Sequence, residues 1–259
     1  MATFLFKDII FGPVQSRRLG VSLGVNLLPV NQKLCTFNCI YCECGLNTQK
    51  GTFCRSFKEP NEIIKLLELK LKELSDNGKS PDVITFAGNG EPTLHPSFAQ
   101  IIDETIRVRD LYCPETRIAV LSNATRIQVP DVFKALLKVD DNIQKIDSVF
   151  PETIKILNNP DTGYDLKRIT DYLKKLSGKV IIQTLFLKGT FNGTSIDNST
   201  ENEVDAWINL LKEISPRYVM IYSIARRTPF DTLEKIAPER MTEIEEKLKK
   251  EGISVQVTY

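Results

Sequence analysis

From residue 82 onward the chain alternates short apolar runs with amphipathic stretches, and few folds accept that rhythm. Residues 82–87, 117–122, 142–149, 180–187, 218–222 and 254–258 are mostly apolar or β-branched and bounded by turn formers, as strands are. Between them, residues 97–109, 131–137, 164–176, 205–214 and 240–251 carry apolar side chains at helical spacing. A further helix precedes the series over 61–77, with apolar residues at 63, 64, 67, 71 and 74 and Gly78 as its stop. Strand–helix alternation with short connections predicts an α/β protein built on a parallel sheet. Right-handed crossovers curl such a sheet into a barrel or part of one, with ligands at the carboxyl ends of its strands. Residues 188–200 are rich in turn formers and follow a strand, so they read as a loop on that side.

Residues 1–10 read as a strand, and the segment up to 32 as short extended pieces broken by Gly12-Pro13, Gly20, Gly24 and Pro29. No repeat or linker divides the 259 residues, so 1–259 reads as a single domain ending on its last strand, without room for a C-terminal accessory domain. The first ten residues lack a cleavage site for export, and no run approaches the roughly 18 apolar residues that cross a bilayer. Six cysteines are too few for a disulfide scaffold and imply reduced thiols in the cytoplasm. With 34 basic against 33 acidic residues the formal charge is +1, which gives no global pull toward nucleic acid or membrane.

Three of the cysteines stand close together. Cys35, Cys39 and Cys42 are spaced C-x3-C-x2-C, one sulfur short of a closed site. Iron–sulfur cubanes in electron carriers are held by four thiolates. Three on a short loop can hold three irons of a [4Fe–4S] cube and leave the fourth open, and an open position is what lets a metal site do chemistry. Phe37 and Tyr41 would shield the cube from water. A disulfide, half of a zinc site, or buried small hydrophobes are the other readings of the same spacing. A structural zinc wants a second ligand pair, and the one histidine, His95, is far off in sequence.

The signature Cys35-x3-Cys39-x2-Cys42, with Tyr41 before the third cysteine, resembles that of the radical S-adenosylmethionine (SAM) superfamily. Phe11-Gly12-Pro13-Val14, Ser16-Arg17-Arg18-Leu19-Gly20 and the run from Gly88 to Pro96 are similar to its wyosine-synthetase-related branch. The resemblance spans nearly the whole chain. It implies a partial (β/α)6 barrel of mostly parallel strands and a [4Fe–4S] cluster whose fourth iron chelates the amino and carboxylate groups of SAM. It also implies reductive cleavage of SAM to a 5′-deoxyadenosyl radical, with a reductant protein such as flavodoxin or ferredoxin as electron donor.

Within that frame the strand ends acquire roles. In Gly88-Asn89-Gly90-Glu91 two glycines let the backbone approach a ligand closely. The run resembles the superfamily's glycine-glycine-glutamate element, which binds the amino group of SAM, with Asn89 in place of the usual second glycine. Ser122 and Asn123 read equally as a helix N-cap, and the resemblance assigns them to the ribose and carboxylate of SAM. Tyr41 joins them on the cofactor side. Asp147, Gln183 and Tyr222 are polar residues on later strands, near their ends, and are the candidates for holding the substrate. Arg17 and its neighbour Arg18, in the first break, are solvated turn residues or face an anionic or carbonyl group in the cleft. His95, between Leu94 and Pro96, reads as structural. Cys44, Cys54 and Cys113 read as free thiols.

Three functions compete: a radical enzyme on a small free molecule such as a modified nucleobase, of the queuine lyase type; a radical enzyme on a base within tRNA; and a passive iron–sulfur or zinc module. Wyosine-forming members carry further cluster cysteines ahead of the signature, and none precedes Cys35. The balanced charge favours the small substrate over tRNA, since phosphate binding needs an excess of lysine and arginine. A passive carrier gains nothing from a missing ligand beside a glycine-rich turn.

Overall fold

A computed structural model describes residues 4–47 and 57–259 of the chain. An antiparallel hairpin, β1 (Ile10–Ser16) and β2 (Gly20–Val25), leads into the alternation. The helices are α1 (Pro60–Asp76), α2 (Phe98–Tyr112), α3 (Pro130–Leu136), α4 (Pro151–Leu157), α5 (Leu166–Lys174), α6 (Glu201–Ile214) and α7 (Pro238–Lys250). The strands between them are β3 (Val83–Phe86), β4 (Arg117–Ser122), β5 (Asp141–Lys145), β6 (Val180–Phe191), β7 (Thr194–Asp197), β8 (Tyr218–Ser223), β9 (Leu233–Lys235) and β10 (Val255–Thr258). The sheet runs β1-β2-β3-β4-β5-β6-β8-β10, and every neighbouring pair from β2 onward is parallel. It is the curled, open partial barrel of mostly parallel strands expected from the alternation.

Helices form where apolar spacing and caps agree. On α1 the buried face is Ile63, Ile64, Leu67, Leu71 and Leu74, and Pro60 opens the helix where its missing N–H costs nothing. Thr200 caps α6 by accepting from the Glu203 amide, and Asp165 caps α5 through the Arg168 amide at 3.0 Å. These faces pack on the outside of the sheet and form the main core, with Trp207 and Phe186 edge to face at 5.3 Å.

Inside the curl, side chains are sorted in layers by the two-residue period of the strands. Val83, Ala119, Ile143, Ile181 and Met220, one from each of five adjacent strands, close the bottom of the curl together with Leu19. Two residues further along the same strands stand Thr85, Leu121, Lys145, Gln183 and Tyr222, which border a cavity. A third apolar group, including Phe37, Ile40, Leu157 and Leu185, lies beneath the cysteine loop.

Several local expectations change. Among the described residues the first strand starts only at Ile10, and residues 4–9 are held by the Asn89 side chain and by single backbone bonds at Phe4 and Ile9 instead of a ladder. The strand expected over 142–149 ends at Lys145, so Asp147 leaves the sheet and turns over its end. Its exit passes into α4, signalled by Phe150-Pro151, an extended residue before a proline at the first helical position. The loop expected over 188–200 is a hairpin. β6 runs on to Phe191 and returns as β7 through Asn192-Gly193, whose φ values of 50° and 79° make the primed turn that Asn-Gly favours.

Candidate active site at the carboxyl ends of the strands

The cysteine loop follows β2 and is zipped to the turn after β3. The Leu34 amide donates to the Asn89 carbonyl at 2.8 Å and the Glu91 amide to the Leu34 carbonyl at 3.1 Å. Close packing on both sides explains the two glycines of the turn. A Cβ on Gly90, at φ +137°, would lie 1.8 Å from the Leu34 carbonyl oxygen, and one on Gly88, at φ +148°, 2.4 Å from Asn26 Oδ1. Asn89 faces away from the cavity. Its amide nitrogen donates to the Phe6 and Pro29 carbonyls, both at 2.9 Å, while its oxygen accepts from the Phe6 amide, so it anchors the N-terminal segment.

Each signature sulfur has its own donor. Asn123 Nδ2 lies 3.5 Å from Cys35 Sγ, and Asn158 Nδ2 3.5 Å from Cys39 Sγ. The ammonium of Lys33 hydrogen-bonds Cys42 and reaches the Gly45 carbonyl at 2.9 Å. Burial opposes the charge on Lys33, but the neighbouring cysteines outweigh it and its pKa rises. Burial pushes the Cys35 and Cys39 thiols up. Cys42 is pulled down to about 6, chiefly by its hydrogen bond with Cys44 and against its own burial. Among the described residues no three His, Cys, Asp or Glu side chains converge to hold a single ion. A cubane asks for something different, one thiolate at each of three corners. Three separate sulfurs, each within reach of an N–H donor, fit that group, and iron would displace their protons.

The cavity beside this loop has a volume of about 410 Å³. Gly88, Gly90, Glu91, Ser122 and Asn123 form one wall. Glu91 is buried; its carboxylate accepts from Thr93 Oγ1 at 2.5 Å and the Asn123 amide at 2.7 Å, and burial raises its pKa against those bonds. Ser122 Oγ accepts from the Ala124 amide at 3.1 Å in a local turn, and it is not the N-cap expected for the next helix, which opens at Pro130 with Val129 at its cap. Asn123 also bonds Thr36 Oγ1 at 2.8 Å, which commits its amide nitrogen to the cysteine loop.

A scan against protein-family models matches residues 32–211 to the radical SAM superfamily. This chain belongs to the radical SAM superfamily. Enzymes of the superfamily use a [4Fe–4S] cluster and SAM. Among curated relatives, a protein named GTPase Obg from Brachyspira hyodysenteriae is 29% identical over 90% of this chain, and UPF0026 protein MJ1312 from Methanocaldococcus jannaschii 32% identical over 80%. The chain spans 32% of the first and 61% of the second, less than two thirds of either. Among solved structures, TYW1 with a lysine–pyruvate adduct bound shares the fold at a TM-score of 0.64 and 13% identity, over 88% of this chain and 73% of that one.

Across the cavity from the turn, a second wall carries the residues expected to face a substrate. Gln183 and Tyr222 are there, joined by a 3.0 Å bond from Gln183 Nε2 to the phenol oxygen. Arg17 sits exposed at the rim, and its neighbour Arg18 is the one that reaches in, with Nη1 2.7 Å from Gln183 Oε1 and its guanidinium 4.4 Å from the centre of the Tyr222 ring. Asp147 is not in the wall. It lies behind it, accepting from Tyr41 Oη, from Asn158 Nδ2 at 2.7 Å and from the Leu185 amide at 2.9 Å. Tyr41 thereby joins the cysteine loop to this buried carboxylate.

Lys145 was missed by sequence reasoning, although it stands two residues past Ile143 at the bottom of the curl, in the same layer as Gln183 and Tyr222. A lysine ending a strand reads as solvated, yet here burial is outweighed by Asp147 and Tyr222 and its pKa rises. His95 is structural: Nε2 lies 3.0 Å from the Lys58 carbonyl, and Nδ1 accepts from the Ser97 amide. Cys44 Sγ donates to the Gly88 carbonyl at 3.3 Å, Cys113 is buried in the main core, and Cys54 lies outside the described residues. No helix among the described residues is long and apolar enough to cross a membrane.

Proposed function

We propose that this radical SAM enzyme is a lyase acting on a small free molecule, a modified nucleobase of the kind cleaved by queuine lyases in deazaguanine salvage, in the cytoplasm. Cys35, Cys39 and Cys42 hold the cluster; Tyr41, the turn 88–91 with its Asn89 anchor, and Ser122–Asn123 form the SAM side. Arg18, Gln183 and Tyr222 face the substrate, with Arg17 at the rim and Asp147 acting from behind the wall through Lys145 and Tyr41. When bound, the cluster and SAM supply an electron and a carbon-centred radical, fed by a protein reductant of the flavodoxin or ferredoxin kind. What the chain itself contributes is orientation and exclusion of water.

One observation carries the choice of substrate. The cavity floor presents Gln183 and Arg18 side by side, and amide and guanidinium groups are those that pair with the edges of bases. Binding within tRNA is the competing reading, and the best basic patch for it is Arg226-Arg227. Both arginines are paired, Arg226 with Glu43 at 2.8 Å and Arg227 with Asp231 at 3.9 Å, which leaves little to neutralise phosphates. The expected result is 5′-deoxyadenosine formation that a free deazaguanine-type base stimulates without RNA, measured anaerobically after reconstitution. Stimulation by tRNA alone, with salt-sensitive binding, would transfer the function to the tRNA class.

A further inference from the structure

The floor of the cavity ends in hydrogen-bond donors with protons to spare. Tyr222 Oη accepts from Gln183 Nε2 at 3.0 Å and from Lys145 Nζ at 3.2 Å, so both lone pairs of the phenol are engaged. Its own proton has no acceptor among the described residues and is left for the cavity. Lys145 bonds Tyr222 and lies a long 3.4 Å from Asp147 Oδ1, which leaves one of its three protons free. Arg18 uses one N–H on the neutral oxygen of Gln183.

Charge points the same way. Five cationic side chains border the cavity: Arg17, Arg18, Lys33, Lys145 and Arg226. Arg226 is closed by Glu43, Lys33 lies against the cysteine sulfurs, and Lys145 has Asp147. The remaining carboxylate of the wall, Glu91, is filled by Thr93 and Asn123. Among the described residues neither Arg17 nor Arg18 has an ion pair. A half-buried guanidinium beside a phenol and an ammonium, all donating to one space, is complementary to an oxyanion.

We infer that the substrate carries a carboxylate or a phosphate, received by Arg18, Lys145 and the Tyr222 hydroxyl. This rests on the small-molecule reading and narrows it to an anionic member of that class, a carboxylated base or a mononucleotide, which excludes queuine itself. The neutral part of the molecule then lies toward the cysteine loop and the anion against the floor.

The test uses reconstituted, SAM-loaded protein, with melting temperature followed across titrations of inorganic phosphate, of orotate as a carboxylated base, and of uracil as its neutral counterpart. At least one anion should stabilise the protein saturably while uracil does not. Arg18→Gln should weaken that anion about ten- to a hundredfold, since charge-assisted bonds dominate it, and Tyr222→Phe by a smaller factor. A response to phosphate alone or orotate alone names the source. No saturable response to either anion, equal binding of uracil and orotate, or an unchanged response in Arg18→Gln overturns the inference. Formation of 5′-deoxyadenosine under strong reductant, followed separately, reports on the radical reading, so the two fail independently.

Discussion

Protein carrying Cys39→Ala will come out of anaerobic reconstitution with its iron lost and its reductive SAM cleavage at background, and Cys35→Ala and Cys42→Ala will do the same. The reasoning is one of corners. A cube held at three irons has no spare thiolate, and removing one leaves two anchors for a group that needs about four irons in place. Cys39 is 8% exposed and packed between Phe37, Ile40 and Leu157, so no water or exposed side chain stands ready to replace its sulfur. Cys113→Ala is the matched control. Cys113 lies in the main core near the Leu71 carbonyl, and its loss costs about 1 kcal/mol of packing while the iron stays. Iron and sulfide analysis together with 5′-deoxyadenosine yield decide the matter. Cys44→Ala sharpens it further, since Cys44 contacts Cys42 and the Gly88 carbonyl. If that variant loses iron as fully as Cys39→Ala, the cube is held at four corners and the protein is a passive module.

The parts of the molecule that could be read ahead of its structure are those governed by local periodicity. The buried face of α1 falls on the five positions given by helical spacing, and β4 spans residues 117–122 as expected. What escaped depends on contacts between distant segments. Gly88 and Gly90 suggested close approach to a ligand, and what they approach is the protein itself, the Asn26 side chain at Gly88 and the Leu34 backbone of the cysteine loop at Gly90. Asn89 looked like a ligand-binding substitution in a glycine turn, whereas its work is to tie down residues 4–9, more than eighty positions away. Of the adjacent pair Arg17 and Arg18, only the curl of the sheet decides which one enters the cavity. The Asn192-Gly193 turn is a different case. Its signal was present in the chain, and composition alone, counting turn formers over 188–200, concealed the hairpin that the dipeptide specifies.

Asp147→Ala should be among the most destabilising single substitutions in this chain, by about 3–5 kcal/mol, because it strands a buried charge. The carboxylate is 3% exposed and gathers donors from four places: the cysteine loop through Tyr41, the end of α4 through Asn158, the β6 backbone through Leu185, and β5 through Lys145. Removing it leaves a phenol, an amide, a backbone N–H and an ammonium without that acceptor. A domain of this size should melt roughly 10 °C lower as a result. Asp147→Asn keeps the shape and part of the hydrogen bonding and should fall between the two. The origin of the loss is exposed by a second change. If the stranded ammonium is the main penalty, Lys145→Met in the Asp147→Ala background restores stability, although the same change in the wild type removes it. Additive losses in that double-mutant cycle would mean that Lys145 and Asp147 are not coupled, and the donor floor described above would then have no buried counter-charge behind it. The coupling also accounts for how a loop that carries metal ligands can share one polar network with the wall that faces the substrate. Tyr41 and Lys145 meet on the same carboxylate, so the position of the cysteine loop and the charge beneath the cavity are set together.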